Sequence, residues 1–235
     1  MTERRRGSVL QTADSLAIGR SELRWDGSSL LVELDEQTFP WPSRIRGRLR
    51  LHPQALSTRV ETLAEAGRHV WTPIAPSARI EVDLREPKLC WSGTAYLDGN
   101  AGDTPIEDSF QSWHWSRSAL REGSAVLYDV RRRDGSTLEL ALRFDAQGRA
   151  LPFEPPAPVR LPSSGWRIAR ASRGEQGQAA IVKTLEDTPF YARSLLATRL
   201  FGEATLGVHE SLDLDRFRQP LVQWMLPFRM PRARR

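Results

Sequence analysis

One cysteine, Cys90, stands among 235 residues, so neither an intrachain disulfide nor a thiolate metal cluster can be built. That usage fits a reducing compartment. Lysine is almost as scarce: Lys88 and Lys183 are the only two, and nearly all of the 34 basic residues are arginine. No apolar run approaches the ~20 residues needed to cross a bilayer. The opening MTERRRGSVL is charged and lacks an apolar segment, so no secretory signal is read there. Neither G-x-G-x-x-G, a P-loop nor a G-x-S-x-G elbow occurs. The four histidines, His52, His69, His114 and His209, are widely spaced without H-x-x-x-H or H-E-x-x-H patterns, so no metal site is expected. The basic residues are interleaved with 29 acidic ones, apart from short clusters at residues 4–6, 131–133 and the C-terminal end. A nucleic-acid binder gathers its charge on one stripe, so no such partner is expected.

What is present is an ordinary globular composition, 40% hydrophobic and 27% charged, with eight tryptophans. Apolar and polar residues alternate in short runs, the period of half-buried strands. Strands are predicted over residues 8–18, 22–35, 44–52, 78–84, 89–98, 110–116, 125–132, 137–145, 166–171, 179–186 and 193–201. Asp26-Gly27 and Asp134-Gly135 mark hairpin turns. The proline-punctuated stretch at residues 72–77 reads as a connection, dividing the chain into domains 1–72 and 73–235. Residues 151–162 read as an extended edge or linker, and 212–226 as a short helix broken or started by Pro220. Regular short strands with turn chemistry between them predict an all-β barrel or sandwich.

The chemistry concentrates between Trp91 and Ser118, which holds three tryptophans and four carboxylates around a Gly/Asn-rich turn. Alternation puts Ser92, Thr94, Tyr96 and Asp98 on one strand face, so a phenol and a carboxylate point the same way. The bland alternatives are a turn-forming Asp98 beside Gly-Asn and a half-buried strand tyrosine. His69 and Trp71 share a face in the same i, i+2 manner, and Trp113 and Trp115 do so around His114. Aromatic surface with one proton donor suits an apolar, electron-rich molecule better than a sugar or a phosphate. The mixed aromatic and arginine segment from Trp224 to Arg232 reads as a docked tail with a basic end, or as a contact with an anionic membrane surface.

Several motifs carry a resemblance: Gly67-Arg68-His69-Val70-Trp71 with Pro73-Ile74-Ala75-Pro76, Tyr96-Leu97-Asp98-Gly99-Asn100 with Gly102-Asp103 and Pro105, and Trp113-His114-Trp115-Ser116-Arg117. Thr184-Leu185-Glu186-Asp187-Thr188-Pro189-Phe190-Tyr191-Ala192-Arg193 and Met225-Leu226-Pro227-Phe228-Arg229-Met230-Pro231 add to it. Through them the chain resembles the carotenoid 1,2-hydratases (hydroxyneurosporene synthases) of phototrophic bacteria. The resemblance implies tandem lipocalin-like antiparallel β-barrels with the site where they meet. It implies a cofactor-independent hydro-lyase that adds water across the terminal C1=C2 bond of an acyclic carotene such as neurosporene or lycopene. His69, Trp71, Tyr96 and Asp98 match the residues tied to catalysis in that family, and Trp91, Trp113 and Trp115 are read as substrate-binding. The partners implied are carotenoid and water, with peripheral contact on the cytoplasmic side of the inner or intracytoplasmic membrane. Met1-Thr2-Glu3-Arg4 resembles an internal strand of the family, so the first barrel is expected to be incomplete in this chain.

The chemistry itself makes demands. An isolated alkene is a very weak base, so its protonation needs a well-placed acid and an environment that tolerates a cation. A desolvated Asp98 would hold its proton at neutral pH. The carboxylate left behind would compensate the C1 cation. Trp71 and Tyr96 could each add ~1–2 kcal/mol through their π faces. His69 could orient Asp98 or take the proton of the captured water. Two other readings remain open at this level: a non-catalytic binding protein for an apolar polyene, and an isomerase or cyclase on the same scaffold.

Overall fold

Short alternating segments punctuated by turn residues build a protein that is almost entirely antiparallel β. A computed structural model describes residues 6–38 and 41–226. The expectations that fall on Met1-Thr2-Glu3-Arg4 and on Pro227 to Arg235 lie outside those residues. In chain order the strands are β1 Val9–Gln11, β2 Ser15–Ile18, β3 Ser21–Trp25, β4 Leu30–Gln37, β5 Arg44–Pro53, β6 Glu61–Thr62, β7 His69–Glu86 and β8 Leu89–Gly102. A helical turn, α1 Ile106–Ser109, leads to β9 Phe110–Ala119, β10 Ser124–Arg132, β11 Thr137–Phe144, β12 Ala150–Pro152, β13 Pro158–Leu161 and β14 Arg170–Arg173. Then follow β15 Ala179–Asp187, β16 Tyr191–Leu200, β17 Glu203–Asp213, α2 Leu214–Phe217 and α3 Pro220–Met225.

Strands β1 to β8 form one sheet, ordered β1-β2-β3-β4-β5-β7-β6 with β8 on β7. The second sheet runs β12-β11-β10-β9-β17-β16-β15, and β13 and β14 pair as a separate ribbon. This is the all-β antiparallel class the sequence predicts, laid out as open sheets; no closed barrel occurs among the described residues. The Asp26-Gly27 turn forms as read. The Asp26 carboxylate accepts from the Ser28 and Ser29 amides at 3.0 and 2.7 Å, and Gly27 takes a φ of 93°. Pro220 opens α3 at its first turn, where its missing N–H costs nothing, and so splits the predicted helix. Strand β17 is absent from the predicted set, yet it sits between β9 and β16 at the centre of the second sheet.

The proline-rich connection expected at residues 72–77 is instead the middle of β7. Against β8 the register shifts twice, between Thr72 and Ala75 and again between Ala75 and Ala78. Prolines cannot donate to a ladder, so Pro73 and Pro76 are accommodated by bulges rather than by ending the strand. The division proposed at residue 72 therefore falls within a strand. Among the described residues no strand of the first sheet pairs with one of the second; the chain crosses from one to the other between β8 and β9, through α1. Beyond the bulges, the His69 end of β7 runs past β5, stays paired to β8 and β6, and packs on the second sheet. Leu63, Ala64 and Trp71 share one buried cluster with Phe110, Trp115, Tyr128 and Phe144.

The other face of the second sheet carries a small apolar cluster of Ala125, Leu127, Ala141 and Leu200, and beside it a polar region. His114, Ser116, Asp129, Ser194, His209 and Ser211 alternate with the apolar set, and the β13–β14 ribbon covers them. Arg173 Nε donates to both Asp129 oxygens at 3.0 Å, and Arg170 donates to Ser194 Oγ at 3.0 Å. His209 Nε2 lies 2.8 Å from the Ala171 carbonyl, so that nitrogen carries the proton. The His114 and His209 rings stack with centroids 6.2 Å apart, and Ser211 Oγ lies 2.9 Å from His114 Nδ1.

Burial holds both imidazoles down to about 4, against an ordinary value of 6.5. As the pH falls below 6.5 the unfolded chain takes up two protons that the folded chain refuses until about pH 4. Stability is therefore full above pH 6.5 and falls through that window, by at most about 3 kcal/mol per histidine. Urea unfolding at pH 7.5, 6 and 5 checks this. His209→Gln, which keeps a donor for the Ala171 carbonyl, should lose stability with falling pH markedly less steeply than the parent chain. Identical slopes would place the acid sensitivity elsewhere.

Candidate active site

The double bulge decides where the side chains of β7 point. Trp71 pairs with Asn100, and Asn100, Asp98 and Tyr96 follow one another on the same face of β8. Trp71 is thus the diagonal neighbour of Asp98, a separation that a long side chain can bridge. It does so: Trp71 Nε1 donates to Asp98 Oδ2 at 2.7 Å, and the Tyr96 hydroxyl donates to the same oxygen at 3.2 Å. The second sheet closes over this group. Tyr128 meets the fully buried Trp71 edge to face at 5.7 Å, Trp113 meets Tyr128 at 5.9 Å, and Trp115 lies 5.3 Å from the Tyr96 ring.

Two effects compete at the carboxyl. Burial raises its pKa, and the hydrogen bonds from Trp71 and Tyr96 lower it; burial prevails, and the group is held above the ordinary carboxylate range. The Tyr96 phenol is pushed far upward, first by burial and then by the Asp98 charge, so it stays a donor and does not ionise. Both side-chain donors converge on Oδ2. An acid O–H oxygen is the poorer acceptor of the two, so the proton of a neutral Asp98 belongs on Oδ1. The arrangement is a carboxyl whose acid form is favoured by burial among aromatic rings, and whose conjugate base has two donors already in place.

Of the residues the sequence singles out, Trp71, Tyr96, Asp98, Trp113 and Trp115 come together. His69 is buried on the same face of β7, but one step farther along. It pairs with Gly102, its Nε2 lies 3.2 Å from Thr104 Oγ1, and its ring rests on Phe110 at 5.1 Å. Orientation of Asp98 therefore belongs to Trp71 and Tyr96, not to His69. Gly102 is obligatory there, since a Cβ would fall 2.2 Å from His69 Nδ1. Trp91 is a second correction. It pairs with Val82 at the far end of the hairpin, is 47% exposed, and by parity faces away from Tyr96 and Asp98. Alternation on one strand had placed it near the site only in sequence.

Two neighbours of the acid carry no role in the sequence reading. Tyr128 stacks between Trp71 and Trp113, and only its alternation in Leu127-Tyr128-Asp129 hints at it. Arg117 lies with Cζ 5.9 Å from the Tyr96 ring centroid and donates through Nη2 to the Pro76 carbonyl at 2.9 Å. No group of three His, Cys, Asp or Glu side chains placed to hold a metal occurs among the described residues. No helix among them is long and apolar enough to cross a membrane.

A family model described as carotenoid hydratase CrtC matches residues 1–235. The chain belongs to the carotenoid hydratase family. It is 56% identical to an acyclic carotenoid 1,2-hydratase of Thiocapsa roseopersicina over 99% of its own length and 58% of that protein's. With the enzyme of the same description from Cereibacter sphaeroides it shares 42% identity over 99% of this chain and 84% of the relative. The chain thus spans little more than half the length of some of its relatives. Among solved structures, a putative AttH from Nitrosomonas europaea superposes with a TM-score of 0.58 at 14% identity, over 88% of this chain and 72% of that one. That likeness establishes a shared lipocalin-like fold alone.

In this carotenoid hydratase family member the Trp71–Asp98 bond should be visible in solution. Trp71→Phe removes the donor and keeps most of the ring, so the Asp98 pKa rises above its already raised value. Tyr96→Phe moves it in the same direction by less, because its bond is longer. Carbon-13 chemical shifts of labelled aspartate against pH measure both. A carboxyl that titrates unchanged in Trp71→Phe would mean the indole does not hold it.

Proposed function

We propose that this chain carries the proton-donating centre of an acyclic carotenoid 1,2-hydratase. The observation that carries the reading is Asp98: a half-buried carboxyl raised by desolvation, with two neutral donors on a single oxygen, facing aromatic walls. Its Oδ1 proton passes to C2 of a terminal C1=C2 bond. The pair of π electrons forms the new C–H bond and leaves the tertiary cation at C1. Water adds there through its oxygen, and its surplus proton returns the carboxylate to the acid. Nothing is oxidised or reduced, and the product is the 1-hydroxy carotenoid.

The donors shape this step more than the π faces do. As Asp98 loses its proton, the bonds from Trp71 and Tyr96 tighten on the growing carboxylate, and preorganised donors of this kind lower barriers without further reorganisation. Trp71 spends its N–H on the acid and its ring edge on Tyr128, so it acts on the carboxylate rather than on the cation. Tyr96, Trp113 and Trp115 are assigned to the substrate wall. His69, tied to Thr104, is assigned to pass the surplus proton of the captured water back to Asp98. Neurosporene and lycopene are the substrates proposed. Their insolubility supports peripheral contact with the cytoplasmic face of the inner or intracytoplasmic membrane.

The test uses lycopene in vesicles with oxygen-18 water. The chain should place one labelled oxygen in each 1-hydroxy product, and Asp98→Asn should lower turnover by at least about a thousandfold. The same variant is expected to gain stability at neutral pH and none below pH 3.8. A group whose folded pKa is raised favours folding only while it is protonated, and that contribution is lost as the pH rises through the folded value. Loss of activity with unchanged or higher stability identifies the acid. Normal hydration by Asp98→Asn would refute the assignment, and product without label would point to an isomerase or cyclase.

A further inference from the structure

A cleft of ≈ 920 Å³ lies between the β7–β8 hairpin and the second sheet, with Ala78, Arg79 and Thr94 on one side and Arg117, Ala119 and Leu120 on the other. That size is at the upper end for small-molecule sites. Its inner wall lies on the same strand faces as the acid. Thr94 precedes Tyr96 by two residues on the same face of β8, and Arg117 follows Trp115 by two on the same face of β9. The Tyr96–Trp115 ring contact is therefore the next layer inward from the cleft. At roughly 3.3 Å per residue, Asp98 lies about 13 Å along the strand from Thr94. A long thin molecule lying in the cleft is collinear with the acid.

Arg117 stands between the two. Arg79, Arg121 and Arg149, which also line the cleft, have Glu81, Glu203 and Asp145 as ion-pair partners. Arg143 lies on the Phe201 ring at 4.9 Å. With their charges engaged, these side chains offer methylene stems to the cleft. Among the described residues Arg117 has no carboxylate partner. It has one hydrogen bond to the Pro76 carbonyl and the Tyr96 ring face, and its Nε is buried without an acceptor. A buried donor left unpaired costs on the order of 1–3 kcal/mol. That makes the inward position of this side chain cheap to leave.

We propose that the cleft binds the chain of an apolar polyene, and that Arg117 is the gate its end group displaces from the face of Tyr96 to reach Asp98. The inference rests on the hydratase reading of Asp98 for the identity of the ligand. Arg117 is a positioning residue: it selects linear end groups thin enough to take its place on the face of Tyr96, and it closes the acid from water when the cleft is empty.

The experiment separates binding from turnover. Lycopene binding to Asp98→Asn, followed by tryptophan quenching, should weaken at least tenfold when Ala119→Trp or Ala146→Trp is added, since both positions line the cleft and lie at a strand end and in a turn. In the parent background the same substitutions should raise KM about tenfold and leave kcat within twofold. Arg117→Ala should change kcat and admit bulkier, cyclised end groups to Asp98, while Arg117→Lys retains the selection of linear ones. Cleft-dependent binding without hydration would uphold this inference and defeat the hydratase reading. Hydration with KM and binding unmoved in both tryptophan variants would defeat this inference alone, as would an Arg117→Ala chain whose end-group selection matches the parent.

Discussion

The hydrogen bond from Trp71 to Asp98 is the constraint around which the rest is arranged. It joins two strands diagonally, and it exists only because β7 carries two extra residues against β8. The prolines at 73 and 76 make those bulges favourable, for they have no N–H to lose from the ladder. The His69 end of the hairpin, beyond the bulges, stays in the first sheet and contacts the second. There Tyr128, Phe110 and Trp115 bury it. Without the bulges the indole and the carboxyl would remain on a solvated sheet face. A surface carboxylate would then be ionised at neutral pH and useless as an acid.

Burial alone would make a poor acid of another kind. A carboxyl raised by desolvation and given no donors holds its proton well but has nothing to stabilise the charge it leaves behind. Asp98 is raised by burial and restrained by two neutral donors, a balance that favours the acid form while leaving donors in place for the charge it releases. Neutral donors matter here. A cationic partner at the same oxygen would bring the pKa down toward the ionised range, and the nearby guanidinium of Arg117 is directed to the Tyr96 ring and the Pro76 carbonyl instead. Convergence on one oxygen leaves the other for the substrate.

Much of this was legible in the sequence, and the parts that were not share a cause. Turns at Asp26-Gly27 and Asp134-Gly135 follow from local chemistry, and the shared face of Tyr96 and Asp98 follows from strand period. Both are properties of a few adjacent residues. Prolines at 73 and 76 looked like a linker because, locally, a proline pair ends strands as readily as it bulges them. Only the neighbouring β5 and β8 decide between the outcomes. Strand β17 escaped notice because its inward residues on one face are Gly207, His209 and Ser211, whose partners are the polar groups of other strands. Trp91 is near Asp98 in sequence alone, and the alternation that found the acid puts it on the opposite face; His69 lies on the expected face, one step farther along. Alternation gives the face of a residue but not how far along the face it lies from the acid.

Strand β9 shows why the two faces of the second sheet are not independent. Trp113, Trp115 and Arg117 face the acid, while His114, Ser116 and Ser118 face the ribbon of β13 and β14. The aromatic wall must be dry to keep Asp98 protonated, and rings without polar handles do not fix a position well by themselves. The polar face supplies that position. Arg173 on Asp129, His209 on the Ala171 carbonyl and His114 on Ser211 are directional contacts that pin β9, β10 and β17 from behind. Hydrogen bonds of this kind contribute little net stability each, but leaving one unmade in the interior is expensive, so they define a single register. The distance between Trp115 and Tyr96, and with it the dryness around the carboxyl, is thus set in part by residues that never touch the site.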